Sequence, residues 1–464
     1  MSKKLLCIAL PIMLQNLLSS SLSFLDTLMI GQLGQEQIAA VGIANQVYFL
    51  ISLFFFGIAS GTAIFISQYY GSGEYEKMKR TMSLATTICL VGSIVMAIYT
   101  FMRPDPIIHL FSTDPLVVEP GRVYMRIVAP SYIFAAVSST LSIGFRSINK
   151  AKVPLLIAFI SLTLNALGNW LLIFGIGPFP VLGVAGAAIS TVFARLVEML
   201  LLVFLIWRKD GEVFAFREKK DFVWDKAFLS FFVKTSFPVL CNEVFWALGM
   251  TLYKIAFASL GTEALATVNI TESIANFFFI AVLGIGNGTT ILLGNVLGTG
   301  DREKALRWAD KIVVLSLFTG IVMGVLEYTM APLFASWFNV STSVATCAVL
   351  SLRVQAFLQP LKSINMSTIV GILRAGGDTR YALFSEMFGV YFVGVPCAFL
   401  GAMVFHLSLP GIYLLLSLEE VSKFFAGLLR VRGKRWANVL TDKAPASEGE
   451  LFLEESSLLY VIDK

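Results

Sequence analysis

Displaced by 227 residues, the sequence lies over itself without a gap from Pro11 to Gly144. Pro11 falls on Pro238, Leu33-Gly34 on Leu260-Gly261, and Glu36 on Glu263. The segment GIASGTAIFISQYYGSGEYEKMKR (57–80) falls on GIGNGTTILLGNVLGTGDREKALR (284–307), and ten of these 24 positions are identical. They are Gly57, Ile58, Gly61, Thr62, Ile64, Gly71, Gly73, Glu76, Lys77 and Arg80 with their mates. Arg126 then meets Arg353, Gly144 meets Gly371 and, after one inserted residue, Arg146 meets Arg374. Apolar composition alone yields coincidences of Ile and Leu. It does not yield Gly-x-x-x-Gly-Thr followed by Gly-x-Gly at one fixed offset. The chain is a duplication, so its fold has to be two copies of one unit.

Hydropathy tells what the unit is. Of 464 residues 57% are hydrophobic and only 14% charged, against about 25% charged in a soluble domain. A membrane-spanning helix takes about 20 apolar residues. Windows of that length give twelve spans, near 5–30, 38–70, 81–103, 123–146, 153–176, 182–207, 230–259, 264–297, 310–335, 345–373, 380–404 and 408–430. The basic start Met1–Lys4 with its apolar run is too long and lacks a cleavage site for a secretory signal, and reads as the first span. Six spans per half is an even number, so both halves enter from one side and their axis lies along the membrane normal. The expected fold is therefore an all-α polytopic membrane protein with twelve transmembrane helices in two six-helix lobes related by a pseudo-twofold axis. Its parts are a first lobe at 1–207, a linker at 208–229, a second lobe at 230–435 and a tail at 436–464. Pro11, Pro238 and Pro396 are the expected kinks, since each removes an intrahelical hydrogen bond.

Lys and Arg crowd one set of connections: Lys3 and Lys4, Lys77 to Arg80, Arg146 to Lys152, the 208–226 loop, Arg302 to Lys311, Arg374 and Arg380, and Arg430 to Arg435. The other set offers little beyond Arg103 and Arg122. By the positive-inside rule both termini are cytoplasmic, in the inner membrane. The tail from Asp442 carries Glu448, Glu450, Glu454 and Glu455 around apolar pairs and reads as a solvated extension. A net charge of +5, scattered along the chain, does not suit a nucleic-acid partner. The five cysteines sit singly in apolar runs, the two histidines (His109, His406) lie near the expected outer surface, and neither HExxH nor GxxxxGK[ST] occurs. These absences argue against an enzyme, a cofactor and an ATP-driven pump.

Charged residues inside spans mark function by default. Asp26 lies in the first span, five residues from its end, and either holds a proton or finds a cation or donors. Asn165 and Asn169 are one helical turn apart on one face and, with Thr191, complete an oxygen-rich site. Such a site suits a hard ion and makes Asp26 the candidate Na+ ligand; the alternative is an Asp–Asn helix clamp. In the second lobe Glu243, Lys254, Glu272 and Lys362 fall within spans, with Lys254 and Glu272 placed to pair. Glu243 and Glu272 are further candidates for ion coupling. Arg195 and Glu198, three apart, read as a helix-surface ion pair. Tyr48, Trp246 and Phe278, with Phe277 and Phe279, are the candidate walls of a substrate cavity for amphipathic cations. Gly57/Gly61 and Gly284/Gly288 read as close helix contacts.

Several stretches resemble the multidrug and toxic compound extrusion (MATE) family: ALPIMLQNLLSSSLSFLDTLMIGQLG (9–34), GIASGTAIFISQYYGSG, NALGNWLLIFG (165–175), GVAGAAIST (183–191) and NMSTIVGILRAGGDTR (365–380). The resemblance covers about residues 1–435. It implies two six-helix lobes and export driven by a sodium or proton gradient. It also places Asp26 at the family's first-helix carboxylate, Asn165 and Thr191 at ligand positions of the fifth and sixth helices, and Glu243 at a seventh-helix glutamate. Asn169 stands where one branch carries a second aspartate, and Lys362 where some members carry a tenth-helix aspartate. The expected protein is a secondary active antiporter exporting amphipathic, cationic or aromatic drugs or metabolites in exchange for H+ or Na+. It works as a monomer whose partners are the small organic substrate and the lipid bilayer. The rival reading is a lipid-linked precursor flippase of the same wider superfamily, which requires a cationic central cavity.

Overall fold

The structure, a computed structural model, describes residues 1–208, 213–338 and 340–441. The acidic extension with Glu448, Glu450, Glu454 and Glu455 lies outside the described residues. Among the described residues there are helices and connecting turns but no strand. Twelve long segments run in order: α1 Ser2–Gly31, α2 Gln35–Ser72, α3 Tyr75–Met102, α4 Pro115–Val128 with Ser131–Ser147, α5 Lys152–Phe174 and α6 Val184–Trp207. The second set is α7 Lys226–Ala258, α8 Thr262–Gly298, α9 Arg302–Ala335, α10 Thr342–Leu373, α11 Thr379–Val404 and α12 Leu409–Arg432. Ten of them are long and apolar enough to cross a membrane, the bent α4 makes an eleventh when its two parts count as one span, and α12 carries Glu419, Glu420 and Lys423 in its apolar run; together they are the twelve helices of two six-helix lobes.

Local chemistry sets the boundaries. Asp225, Asp301 and Ser341 cap α7, α9 and α10 by accepting from the backbone N–H of Phe228, Lys304 and Val344, which satisfies otherwise orphaned donors. Repeat mates adopt the same unusual backbone. Gly34 and Gly261 enter α2 and α8 with φ of +125° and +102°, and Gly73 and Gly300 follow them with +79° and +77°. Only glycine adopts such angles without strain, so these pairs are preserved across the duplication for the same reason in each copy.

The helices continue through Pro11 and Pro238, and Pro396 lies between two wider, π-helical stretches at 388–394 and 400–404. The sharp break is elsewhere: the two parts of α4 meet at 50°. There Pro130 lacks an N–H to donate into the preceding turn, so the helix bends at it although Ala129 and Pro130 keep helical backbone angles. Another wide stretch, 366–373, ends α10.

The lobes meet along α2 and α8, each packed on the first helix of the other lobe. Gly57 and Gly61 of α2 lie against Leu240 and Ser236 of α7; a methyl group on Gly61 would sit 2.6 Å from Ser236 Cβ. Gly284 and Gly288 of α8 receive Met13 and Ala9 of α1 in the same way. In a bilayer, where helix contact gains little from hydrophobic burial, such close approach supplies the van der Waals attraction. Further along, Gly294 and Gly298 press on Ser67 and Gln68. Every residue of α2 from Gly57 to Tyr69 is buried, whereas between Gln35 and Leu53 only one side is. The seam between lobes is thus sealed next to the face where α1 begins and α12 ends, and open toward the opposite face.

A strap after α12 completes the seal. Trp436 is fully buried, its carbonyl against Gly376. Gln68 donates to the carbonyl of Ala375 (2.7 Å) and accepts from the N–H of Leu440 (2.7 Å). Residues 436–441 are therefore packed against both lobes.

Candidate functional site

In the first lobe, α1, α5 and α6 bring together the residues expected from the sequence. Asn169 Nδ2 donates to Asp26 Oδ1 at 2.7 Å. Asn165, one turn earlier on α5, reaches both Asp26 and Thr191. With its nitrogen toward the carboxylate it donates to Asp26 Oδ1 and Oδ2 at 3.1 Å while its oxygen accepts from Thr191 Oγ1 at 3.3 Å. Turned over, it donates to Thr191 Oγ1 at 3.3 Å and presents its oxygen to Asp26. The site thus offers either donors that suit a bare carboxylate or oxygens that suit a proton or a cation. Asn169 Oδ1 is buried and has no partner. Tyr124, from α4, closes the site against Thr191.

Arg195 corrects the sequence reading. It is not in an ion pair with Glu198. Its guanidinium lies 3.8 Å from the centre of the Tyr48 ring and donates to Ser131 Oγ at 2.9 Å, while Ser161 donates to Glu198 at 3.4 Å. Tyr48, read as a cavity wall, has one ring face covered by Arg195 and stacks on Tyr132 at 6.0 Å. Trp246 is 38% exposed, three residues from Glu243 on α7. Phe278 differs from expectation. It is 4% exposed and packs edge-on to Phe277 and Phe334 in the core between α8, α9 and α10, so it has no surface open to a substrate in this conformation.

In the second lobe, both expected coupling carboxylates have cations of the protein's own. Glu272 pairs with Lys254 at 3.0 Å, as the sequence suggests. Because Lys254 is half exposed, Lys254→Ala is expected to change thermal stability by less than about 1 kcal/mol. Thermal melting of the purified chain in detergent measures this; a larger drop means the pair braces the outer ends of α7 and α8. Glu243 meets Arg374 at 2.9 Å, and Arg374, read from sequence as a loop cation, is 1% exposed and also donates to Ser60 Oγ of α2 at 3.0 Å. Arg374, held by Glu243 of its own lobe, thus ties the lobes together through Ser60.

Sequence reasoning missed a larger network. Lys423 of α12 bonds Glu386 of α11 at 2.7 Å and Glu419, one turn earlier on α12, at 2.6 Å. Tyr253 of α7 donates to Glu419 at 2.6 Å, and Asn365 of α10 donates to Glu420 at 2.8 Å. Lys362, also on α10, donates to Gln355 at 3.1 Å. On α9, Glu327 is fully buried and accepts from Gln359 at 2.6 Å. The available signal was charge in the middle of apolar helices, the criterion that singled out Asp26.

The sequence matches the MatE family at residues 11–171 and 238–400, two segments whose starts stand at the repeat offset. The transporter YisQ of Bacillus subtilis is 26% identical over 426 residues, covering 92% of this chain and 93% of its own. A probable multidrug resistance protein, NorM of Thermotoga maritima, is 22% identical over 438 residues, with 94% and 93% covered. Among solved structures, a MATE protein in complex with MaL6 superposes with a TM-score of 0.86 at 18% identity, over 95% of this chain and 97% of that one. A variant of the Vibrio cholerae MATE transporter VcmN gives 0.85 at 19% identity, over 94% and 98%.

Proposed function

The chain belongs to the MATE family, and from that premise we propose that it is a secondary active antiporter exporting small amphipathic, cationic or aromatic organic compounds in exchange for H+ or Na+, coupled at Asp26. The observation that carries this reading is the pairing of Asp26 with Asn169, whose amide nitrogen is bonded while its oxygen is left without a partner. A purely structural clamp would leave that acceptor unsatisfied at a cost of about 1–3 kcal/mol. A proton on Asp26 satisfies it, and so does a sodium ion bound between the carboxylate, Asn169 Oδ1, the turned Asn165 oxygen and Thr191 Oγ1.

The cycle follows from differential affinity. With the seam open away from the termini, the coupling ion enters from the side where its electrochemical potential is higher and binds at Asp26. Asn165 turns over, α1 repacks on α5, and substrate held in the first lobe is released. The lobes then rock about the α2–α8 seam, the Gln68 and Arg374 contacts part, and the ion leaves on the terminal side. By the distribution of Lys and Arg the terminal side is the cytoplasm, the boundaries of the lobes follow the repeat, and the chain works as a monomer in the inner membrane. Glu243 and Glu272, each paired with a cation, are assigned to holding the lobes and the outer helix ends.

A flippase for pyrophosphate-linked lipids would need unspent cations in the seam. Among the described residues Arg374 and Lys423 are bonded to carboxylates and Arg195 covers Tyr48, while Lys362 and Arg146 are bonded to the neutral amides of Gln355 and Gln15 and stand on different helices rather than in one cluster. The test is efflux of a fluorescent organic cation from proteoliposomes under separately imposed pH and sodium gradients. One gradient alone is expected to drive efflux and thereby identify the ion. If neither does, the antiport reading is wrong.

A further inference from the structure

The network on α12 contains more negative charge than it can balance. Glu243, Glu386, Glu419 and Glu420 face Arg374, Lys362 and Lys423, four carboxylates against three cations. Glu243 is neutralised by Arg374. Lys423 lies between Glu386 and Glu419, and Glu419 has the Tyr253 hydroxyl besides. Lys362, directed to Gln355, makes no bond to Glu420 among the described contacts. Glu420, like Glu327, is bonded only by a neutral amide, with Lys423 and Lys362 near it but not bonded to it. A lone charge at the middle of a membrane helix costs several kcal/mol.

The surroundings of Glu420 have the same signature as those of Asp26. Asn365 Nδ2 donates to Glu420 Oε2 at 2.8 Å, while Asn365 Oδ1 is buried and has no partner; Asn365 itself is 5% exposed. A carboxylate beside a primary amide uses only the amide's donor. A carboxylic acid uses both groups, accepting from the N–H and donating its O–H to the amide oxygen. The orphaned acceptor therefore points to a proton as the missing ligand. Sodium fits less well, because the oxygens of Glu419 and Glu386 are engaged by Lys423 and Tyr253, and among the described residues no three carboxylates converge as metal ligands.

The backbone is shaped around the same place. Asn365 precedes the wide helical stretch 366–373, and Gly389 and Gly394 lie in the stretch 388–394. A methyl group on Gly389 would sit 2.7 Å from the Lys423 side chain, and one on Gly394 would sit 2.6 Å from Glu419 Oε2. Interruptions of this kind in α-helices accompany functional sites. Glu420, like Glu243 and Glu386, is partly exposed, whereas Glu419 and Lys423 are buried.

We propose that the second lobe has a proton-binding site of its own at Glu420, closed by Asn365 and set off from the Glu386–Lys423–Glu419 chain. Protonation there removes the surplus charge and supplies the hydrogen bond that Asn365 lacks. Its place in a transport cycle rests on the antiport reading, but the site is testable without transport.

The experiment is infrared difference spectroscopy of the purified full chain between acid and alkaline buffer, on Asp26→Asn with Glu327→Gln, so that two other buried carboxyls bonded to amides are silent. The carboxylic C=O band grows in acid buffer as all the Asp and Glu residues protonate, and adding Glu420→Gln is expected to remove from it the component of one buried, amide-bonded carboxyl. If the band titrates unchanged after Glu420→Gln, the proposal is overturned. Asn365→Leu keeps the carboxyl and removes both amide contacts, so it decides the matter should Glu420→Gln not fold. A shifted band and midpoint are expected, and an unshifted pair contradicts the assignment. Loss of gradient-driven efflux in the parent would sink the antiport reading and leave this result standing.

Discussion

Asp26→Asn is expected to abolish gradient-driven export while leaving the chain folded. The substitution is isosteric, and the new amide has a ready acceptor in Asn169 Oδ1, which is buried and unpartnered. The variant therefore resembles the form of the site that already carries its proton. What it loses is the difference between ion-free and ion-bound states, which is the whole of the coupling. Coupling free energies between linked sites run to about 1–3 kcal/mol, or about 5–150-fold in affinity, and an imposed gradient should accordingly produce no accumulation. The measurement is dye efflux from proteoliposomes with parent and variant side by side, together with melting temperature. Gradient-driven efflux at the parent's rate would move the coupling site elsewhere.

Arg374→Ala is expected to have the largest effect on stability. Arg374 is 1% exposed, and it joins Glu243 of the second lobe to Ser60 of the first. Removing it leaves a carboxylate inside the bundle with no countercharge, a change that costs about 3–5 kcal/mol when a buried pair is broken from one side. Replacing both partners, Arg374→Met with Glu243→Leu, should recover most of that loss, because two desolvated charges are removed together. Thermal melting of both variants in detergent checks this. If the single variant melts like the parent, the pair does not hold the seam. If the double variant is as unstable as the single, packing rather than charge is what Arg374 contributes.

The spans were legible in the sequence because a bilayer imposes a length, and the duplication was legible because its glycines are needed twice for the same backbone angles. Asp26, Asn165, Asn169 and Thr191 were legible together for a related reason. Each is a polar residue on an apolar helix, and helical spacing places the two asparagines on one face. The misread features depend on which helices meet, which no single-segment pattern encodes. Arg374 sits at a span end and looks like a loop cation until α7 and α2 are packed beside it. Arg195 and Glu198 have the spacing of an ion pair, yet Tyr48 and Ser131 from other helices claim the guanidinium first. Phe278 belongs to an aromatic run that reads as a wall, and α9 covers it. Glu419, Glu420 and Lys423 were lost for a different reason, since averaging over a window hides three charges within an apolar segment.

The central claim is that ion and substrate compete through Asp26. It is tested most directly by the equilibrium affinity of the purified chain for a fluorescent organic cation, measured across pH and across sodium concentration, in the parent and in Asp26→Asn. The parent's affinity is expected to fall as one of the two ions is added, and the variant's to stay flat. An affinity in the parent that responds to neither ion, or a variant that responds as the parent does, would contradict the account.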